Sequence, residues 1–294
     1  MRLCDLYKRG CSRMKAYGFR HGIAAALLGV FLLAGCEDAF KSQEPENLEN
    51  FSPEEIFKKA EIELNKKRYD QGAQYFSEIE RLYPYSEWAK RGLIMQAFVY
   101  HQGKKYDESR AAAQRYVDFF PADEDAAYAQ YLLALSYYDQ ISDIGRDQGL
   151  TLQTLEAFRV VIEQYPESDY AEPSKLKFDL AFSHLAAKEM EVGRYYLKSG
   201  HYGAAVNRFR VVVEDFQTTS QTPEALHRLV EAYLSLGLVS EAQSAAAVLG
   251  HNYQSSEWYR ASFALLKSKG YSPKVSGTGW LNKVYRQVVK GEWL

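Results

Sequence analysis

One short pattern recurs along the chain and decides what it can fold into. An aromatic residue, Pro, a spacer and a small polar residue occur as Tyr83-Pro84-Tyr85-Ser86, Phe120-Pro121-Ala122-Asp123 and Tyr165-Pro166-Glu167-Ser168, with Phe216-Gln217-Thr218-Thr219 as a degenerate fourth copy. Each copy follows, by about fifteen residues, a Tyr-Asp step or its equivalent, at Tyr69-Asp70, Tyr106-Asp107, Thr151-Leu152 and Tyr202-Gly203. Between these markers the apolar positions keep a helical period, as in Ile56, Ala60 and Leu64, then Tyr69, Ala73, Phe76, Ile79 and Leu82. Ser52-Pro53-Glu54-Glu55 is a helix opening, with a hydroxyl N-cap, proline in the first turn and a carboxylate at the third position. No segment alternates as a strand. Each copy therefore reads as a helix-turn-helix unit, which buries its apolar face only by stacking on its neighbours.

Phe76, Phe158 and Phe209 precede the proline position of their copies by the same interval, and Ala97 and Gly193 fall where two helices of a pair approach closely. This spacing resembles the tetratricopeptide repeat. It predicts an all-α superhelix of about five units, over residues 53–86, 90–123, 127–168, 172–219 and 223–256. Units one to three, residues 53–168, form the N-terminal group and units four and five, residues 169–256, the C-terminal group. Unit three departs through an Asp-, Gly- and Gln-rich insertion around Ser142 to Leu150, expected as an exposed loop, and unit four through an unbroken first helix from Pro173 to Ser199. Unit five has Ala246 where an aromatic is expected. Residues 257–294 read as a tail, helical around Trp258 to Lys269 and Leu281 to Val289.

Ahead of the repeats, Leu33-Ala34-Gly35-Cys36 closes an apolar run that begins near Ile23 and follows the basic flank of Arg13, Lys15, Arg20 and His21. The order Leu, Ala, Gly, Cys is that of a bacterial lipoprotein signal, so residues 1–35 are expected to be removed and Cys36 to carry covalent lipid, the only prosthetic group expected. An ordinary export signal would leave Cys36 a bystander. A transmembrane helix needs roughly 20 apolar residues, more than this run supplies. Met14-Lys15 opens a signal of ordinary length and is the expected true start. Cys4 and Cys11 then lie in the discarded part, which excludes disulfides in the mature chain. Polar residues 36–52, with Pro45, Asn47 and Asn50, read as a flexible tether.

The formal net charge of -2 lacks the basic excess of a nucleic-acid binder. None of the six histidines pairs closely with a carboxylate at metal-binding spacing, and neither a phosphate-cradling glycine loop nor a Gly-x-Ser-x-Gly elbow occurs. The expectation is no catalytic residue and no metal. A stacked array instead offers a face lined by first-helix side chains. The inward register gives Phe57, Glu61 and Asn65 in unit one, Arg91, Ile94, Phe98 and His101 in unit two, and Tyr128, Tyr131, Leu135 and Tyr138 in unit three. An aromatic groove with Arg91 as its cation suits an extended peptide bearing aromatic side chains.

The lipoprotein signal, polar tether, five units with Tyr-Pro-x-Ser junctions and mature length together resemble the BamD/ComL family, the lipoproteins of the outer-membrane β-barrel assembly machinery. Ser52-Pro53-Glu54-Glu55-Ile56-Phe57 with Ala60 is similar to that family's first helix, Tyr69-Asp70 to Pro84 to its first repeat, and Tyr195-Tyr196 with Val206-Asn207-Arg208 to its fourth. The resemblance implies an outer-membrane, periplasm-facing scaffold. It implies C-terminal repeats that bind the POTRA domain of a BamA-like barrel insertase, with Arg208 as a partner-facing cation, contact with other assembly-machinery lipoproteins, and N-terminal repeats that bind the C-terminal signals of unfolded outer-membrane proteins. Glu37 departs from this, because an acidic residue after the lipidated cysteine favours inner-membrane retention. The alternatives are a tetratricopeptide lipoprotein adaptor for peptidoglycan enzymes and an envelope hydrolase.

Overall fold

The computed structural model describes residues 47–274 and 279–290. The chain divides into two compact units, the first ending at Asn50 and containing one 3-10 turn, Leu48–Asn50. The second begins at Phe51 and holds every α-helix among the described residues: α1 (Pro53–Asn65), α2 (Tyr69–Leu82), α3 (Glu87–Gln102), α4 (Tyr106–Phe119), α5 (Ala126–Tyr138), α6 (Gly149–Gln164), α7 (Ala171–Lys198), α8 (Tyr202–Asp215), α9 (Thr222–Ser235), α10 (Val239–Asn252), α11 (Glu257–Ser268) and α12 (Trp280–Lys290). Helices adjacent in sequence pack as pairs from α1 to α10. The first helices also touch in succession, α1 on α3, α3 on α5, α5 on α7 and α7 on α9, so they line one face of the array. The fold is an all-α tetratricopeptide superhelix of five such pairs.

The recurring junction has a physical reason. Ser86 Oγ accepts from the Ala89 N–H at 3.1 Å while donating to the Tyr83 carbonyl at 2.8 Å, so one hydroxyl ends α2 and starts α3. Ser168 and Thr219 make the same bond back to Tyr165 and Phe216, each at 2.8 Å. Where the junction aromatic is tyrosine, its hydroxyl donates to a carbonyl before or within the preceding junction: Tyr83 to Phe51 at 2.6 Å, Tyr165 to Pro121 at 3.5 Å, Tyr253 to Gln217 at 3.4 Å. The motif therefore stitches consecutive repeats as well as capping helices. In unit two Asp123 takes the small-residue place and accepts from Tyr116 Oη at 2.6 Å, Lys90 Nζ at 2.8 Å and the Asp125 N–H at 3.1 Å. The Lys90 bond first, then that from Tyr116, holds its carboxyl down at about 2.

The buried side chains form two large clusters. One joins Leu93, Ile94, Ala97, Tyr116, Leu132, Leu133 and Phe158, with Phe178 against it; the other joins Ala186, Met190, Phe209, Leu226, Leu229, Leu249, Leu266, Leu281 and Val284. α7 belongs to both, since its 28 residues extend about 42 Å. Gly193 permits the second half of α7 to meet α8, because a Cβ there would stand 2.5 Å from the Phe209 ring. The long α7 also anchors the insertion of unit three. Lys188 Nζ donates to the Gly145 carbonyl at 3.0 Å, and His184 Nδ1 lies 3.1 Å from Gln148 Oε1.

Two sequence expectations change, and the tail gains a place in the packing. The insertion ends at Gln148 and α6 starts at Gly149, so Thr151-Leu152 lies inside the helix rather than at its start. The tether ends sooner than residue 52, because the Phe51 carbonyl accepts from Tyr83 and its ring lies under Lys59 Nζ, 4.4 Å from the centroid; the capping box of Ser52 with Glu55 is the helix opening that the sequence predicts. Finally, the tail folds back on unit five. α11 packs on α9 and α10, and α12 on α10. Trp280 Nε1 donates to Tyr233 Oη at 3.1 Å, with the Arg210 guanidinium 5.0 Å from a Trp280 ring. The signal segment and Cys36 lie outside the described residues.

Candidate functional site

Helix α5 is apolar nearly all round, which suits a helix flanked by α4, α6 and two first helices. Its remaining side is a row of half-buried tyrosines. Tyr128 and Tyr131 both meet Tyr170, at the N-terminus of α7, with centroids 5.1 and 5.3 Å apart and interplanar angles of 32° and 31°. Tyr131 and Tyr138 each rest on the buried Phe158 at 6.1 Å. Burial pushes the Tyr128 hydroxyl up to about 12, with Tyr170, Tyr131 and Asp125 adding to it. Burial also raises Tyr131 and Tyr170, helped by nearby aspartates. These hydroxyls stay protonated and able to donate at neutral pH.

One cation borders this row and a second stands among rings at α3. Lys177 Nζ lies 5.2 Å from the Tyr138 centroid, and the Arg91 guanidinium lies 5.0 Å from the Trp88 ring and 5.4 Å from Phe57. Among the described residues neither has a carboxylate partner. A face of rigid rings edged by unpaired cations can stack apolar side chains and attract a carboxylate.

The groove expected from sequence is partly corrected. Phe57 is 5 % exposed and packs on Phe76 at 5.0 Å and Trp88 at 5.2 Å; Ile94 is 7 % exposed inside the N-terminal cluster. Neither can line a binding surface. On α3 the open face runs through Arg91 and half-buried Met95 and Phe98, and a side chain three residues after Arg91 leans inward where one four residues after does not. Phe98 itself packs against the core edge. Glu61 and Asn65 are exposed and Leu135 is half-buried. His101 Nε2 stands 3.1 Å from Asp139 Oδ2, between units two and three. Tyr128, Tyr131 and Tyr138 do come together. Arg208 is exposed, but its Nη1 donates to Glu189 Oε2 at 3.1 Å, so its charge is answered within the chain.

Trp88, Tyr170 and Lys177 were missed. The two aromatics had a signal: each stands two residues after a junction serine, Ser86 or Ser168, as does Trp258 after Ser256. All three carry a cation or a ring pair, Trp258 lying 5.2 Å from the Arg228 guanidinium and 5.4 Å from the His227 ring. Among the described residues no three His, Cys, Asp or Glu side chains could share a metal ion, and no helix is long and apolar enough to cross a membrane.

The family model described as YfiO, outer membrane lipoprotein, matches residues 49–249. The chain is 42% identical over 252 residues to the outer membrane protein assembly factor BamD of Caulobacter vibrioides, covering 85% of this chain and 82% of that one. It is 39% identical over 246 residues to the factor of the same name from Rickettsia prowazekii, covering 84% and 96%, and 26% identical over 239 residues to that of Neisseria meningitidis, covering 78% and 90%.

Proposed function

The chain belongs to the YfiO outer membrane lipoprotein family, and on that premise we propose that it is a non-enzymatic scaffold for assembling outer membrane proteins, held to the outer membrane by lipid on Cys36 and facing the periplasm. Its C-terminal repeats hold the barrel insertase through a POTRA domain. Its N-terminal first-helix face binds the C-terminal signal of an unfolded barrel protein. The names of the relatives, outer membrane protein assembly factors, support the assembly role.

The observation that carries the peptide reading is the Tyr128, Tyr131 and Tyr170 stack with Lys177 beside it. A polypeptide ending in an aromatic residue presents a ring and a terminal carboxylate together, and the face offers a stacking surface and an unpaired ammonium for them. The register of the aromatics supports an extended ligand, because α5 exposes Tyr128, Tyr131 and Tyr138 along one helix side. The test is fluorescence anisotropy with a synthetic peptide ending in Phe, as the free acid and as the amide. Amidation should weaken binding about tenfold, the size of one lost charge-assisted contact. Equal affinities, or no binding of either, would remove the carboxylate-reading face.

A further inference from the structure

The turn inside most units ends on a residue in the left-handed backbone region, and the chain fills that position in two ways. Units four and five and the tail use Gly200, Gly237 and Gly270, at φ of +78°, +77° and +80°. Units one and two use Lys67 and Lys104, at φ of 58° and 59°. A side chain there crowds the following carbonyl, and lysine lacks the short polar side chain that lets Asn or Asp offset the strain. Two consecutive repeats thus carry a destabilising residue at equivalent places where glycine would serve the fold better. Strain of this kind points to a use for the side chain.

The surroundings indicate charge. Lys67 and Lys104 are exposed, and among the described residues neither forms an ion pair. Lys66, Arg68 and Lys105 flank them, and Lys67, Arg68, Gly103 and Lys105 line one open cleft of about 520 Å³, which makes the two turns neighbours. Two carboxylates answer these five cations: Glu63, shared by Lys66 at 2.7 Å and Arg68 at 3.2 Å, and Asp70, which holds Lys105 at 2.8 Å. The edge does not continue into unit three, whose loop carries Asp139, Asp143 and Asp147 against Arg146.

We propose that the turn edge of units one and two docks on the phosphate headgroups of an anionic membrane and so orients the array against the bilayer. Flexible lysine stems on a shallow, open surface suit many mobile phosphates better than one enclosed anion. The bilayer is within reach, since the stretch from Cys36 to Phe51 extends at most about 50 Å. This inference rests on the membrane attachment in the proposed function, and is independent of the peptide face.

The test uses the mature chain, residues 36–294, with Cys36→Ser, so that neither lipid nor signal segment holds it, and phosphatidylcholine vesicles with and without phosphatidylglycerol. Selective sedimentation with the phosphatidylglycerol vesicles, reversed by salt, is expected. The double variant Lys67→Gly, Lys104→Gly should lose about 25-fold in vesicle affinity, at about fivefold per lysine, while its Tm rises because the strain is relieved. Equal binding to both vesicle types, unchanged binding by the double variant, or capture by polyglutamate without capture by vesicles would each overturn the membrane assignment. The variant's affinity for the Phe-ending peptide should be unchanged, which separates failure of this surface from failure of the first-helix face.

Discussion

On α3 and the first half of α7, Arg91 and Lys177 meet aromatic rings and, among the described residues, no carboxylate, whereas from the second half of α7 onward Arg194, Arg208, Arg210 and Arg228 are answered by Glu224, Glu189, Glu214 and, for Arg228, both Glu224 and Glu231. The same contrast appears in the apolar parts. Tyr128, Tyr131 and Tyr138 stay half-buried at an open face, while the C-terminal cluster is closed over by α11 and α12 through Leu266, Leu281 and Val284. One repeat architecture has thus been finished in two ways. The first-helix side leaves Arg91 and Lys177 without a carboxylate among the described residues, although Lys90, Lys105 and Arg115 of unit two are paired with Asp123, Asp70 and Glu80, and the C-terminal units cover their own core. A partner that engages Arg208 must therefore compete with its bond to Glu189, and a ligand of Arg91 or Lys177 meets no such competitor among the described residues.

The largest expected effect tests whether the halves are separate bodies. Phe209→Ala removes a fully buried ring from the C-terminal cluster and should cost about 3–5 kcal/mol. In a repeat array the loss stays near the lesion, so hydrogen exchange should accelerate from the second half of α7 to α12 and hold steady in α2 to α5. Uniform acceleration would show that the two clusters melt as one and would end the comparison.

A smaller effect probes the open face. The double variant Tyr128→Ala, Tyr131→Ala should weaken binding of the Phe-ending peptide by about 2 kcal/mol, the loss expected of central aromatic anchors. Leu229→Ala, at a fully buried site in the C-terminal cluster, should lower thermal stability and leave peptide affinity alone. If both variants weakened the peptide equally, the face would not be specific to the N-terminal half.

The smallest effect sharpens the junction between units two and three of the stitched array. Asp123 has its carboxyl pulled from the ordinary 3.8 to about 2, chiefly by Lys90 and then Tyr116. A depressed carboxylate stabilises the fold fully above its unfolded pKa and loses that contribution as pH falls through the folded one. Stability on the order of 1 kcal/mol, discounted for solvent screening, should therefore disappear between about pH 4 and pH 2. Asp123→Asn should flatten that part of the stability-against-pH curve, and an unaltered curve would mean the Lys90 bond contributes nothing measurable.

The fold was legible where the sequence repeats a chemical solution. The aromatic-Pro-x-Ser junction could be read because one hydroxyl must cap a helix, and Gly193 because nothing larger fits beside Phe209. The site was harder, since helical periodicity identifies a face only to within about one residue step. Ile94 and Met95 differ by one position and point to core and open side respectively, and the register alone puts Phe57 at the surface because its core partners, Phe76 and Trp88, come from other helices. Trp88 and Tyr170 could have been found from their constant offset after the junction serine. Lys177 could not, because its place beside Tyr138 depends on how α7 crosses α5.

Hydrogen exchange of the full chain with and without the Phe-ending free-acid peptide reads out which face holds the peptide. Slowed exchange is expected in α5 and the first turns of α7, around Tyr170 to Phe178, with no change from α9 to α12. Protection confined to α9 to α12, or absent everywhere while the peptide is bound, would contradict binding at the first-helix face.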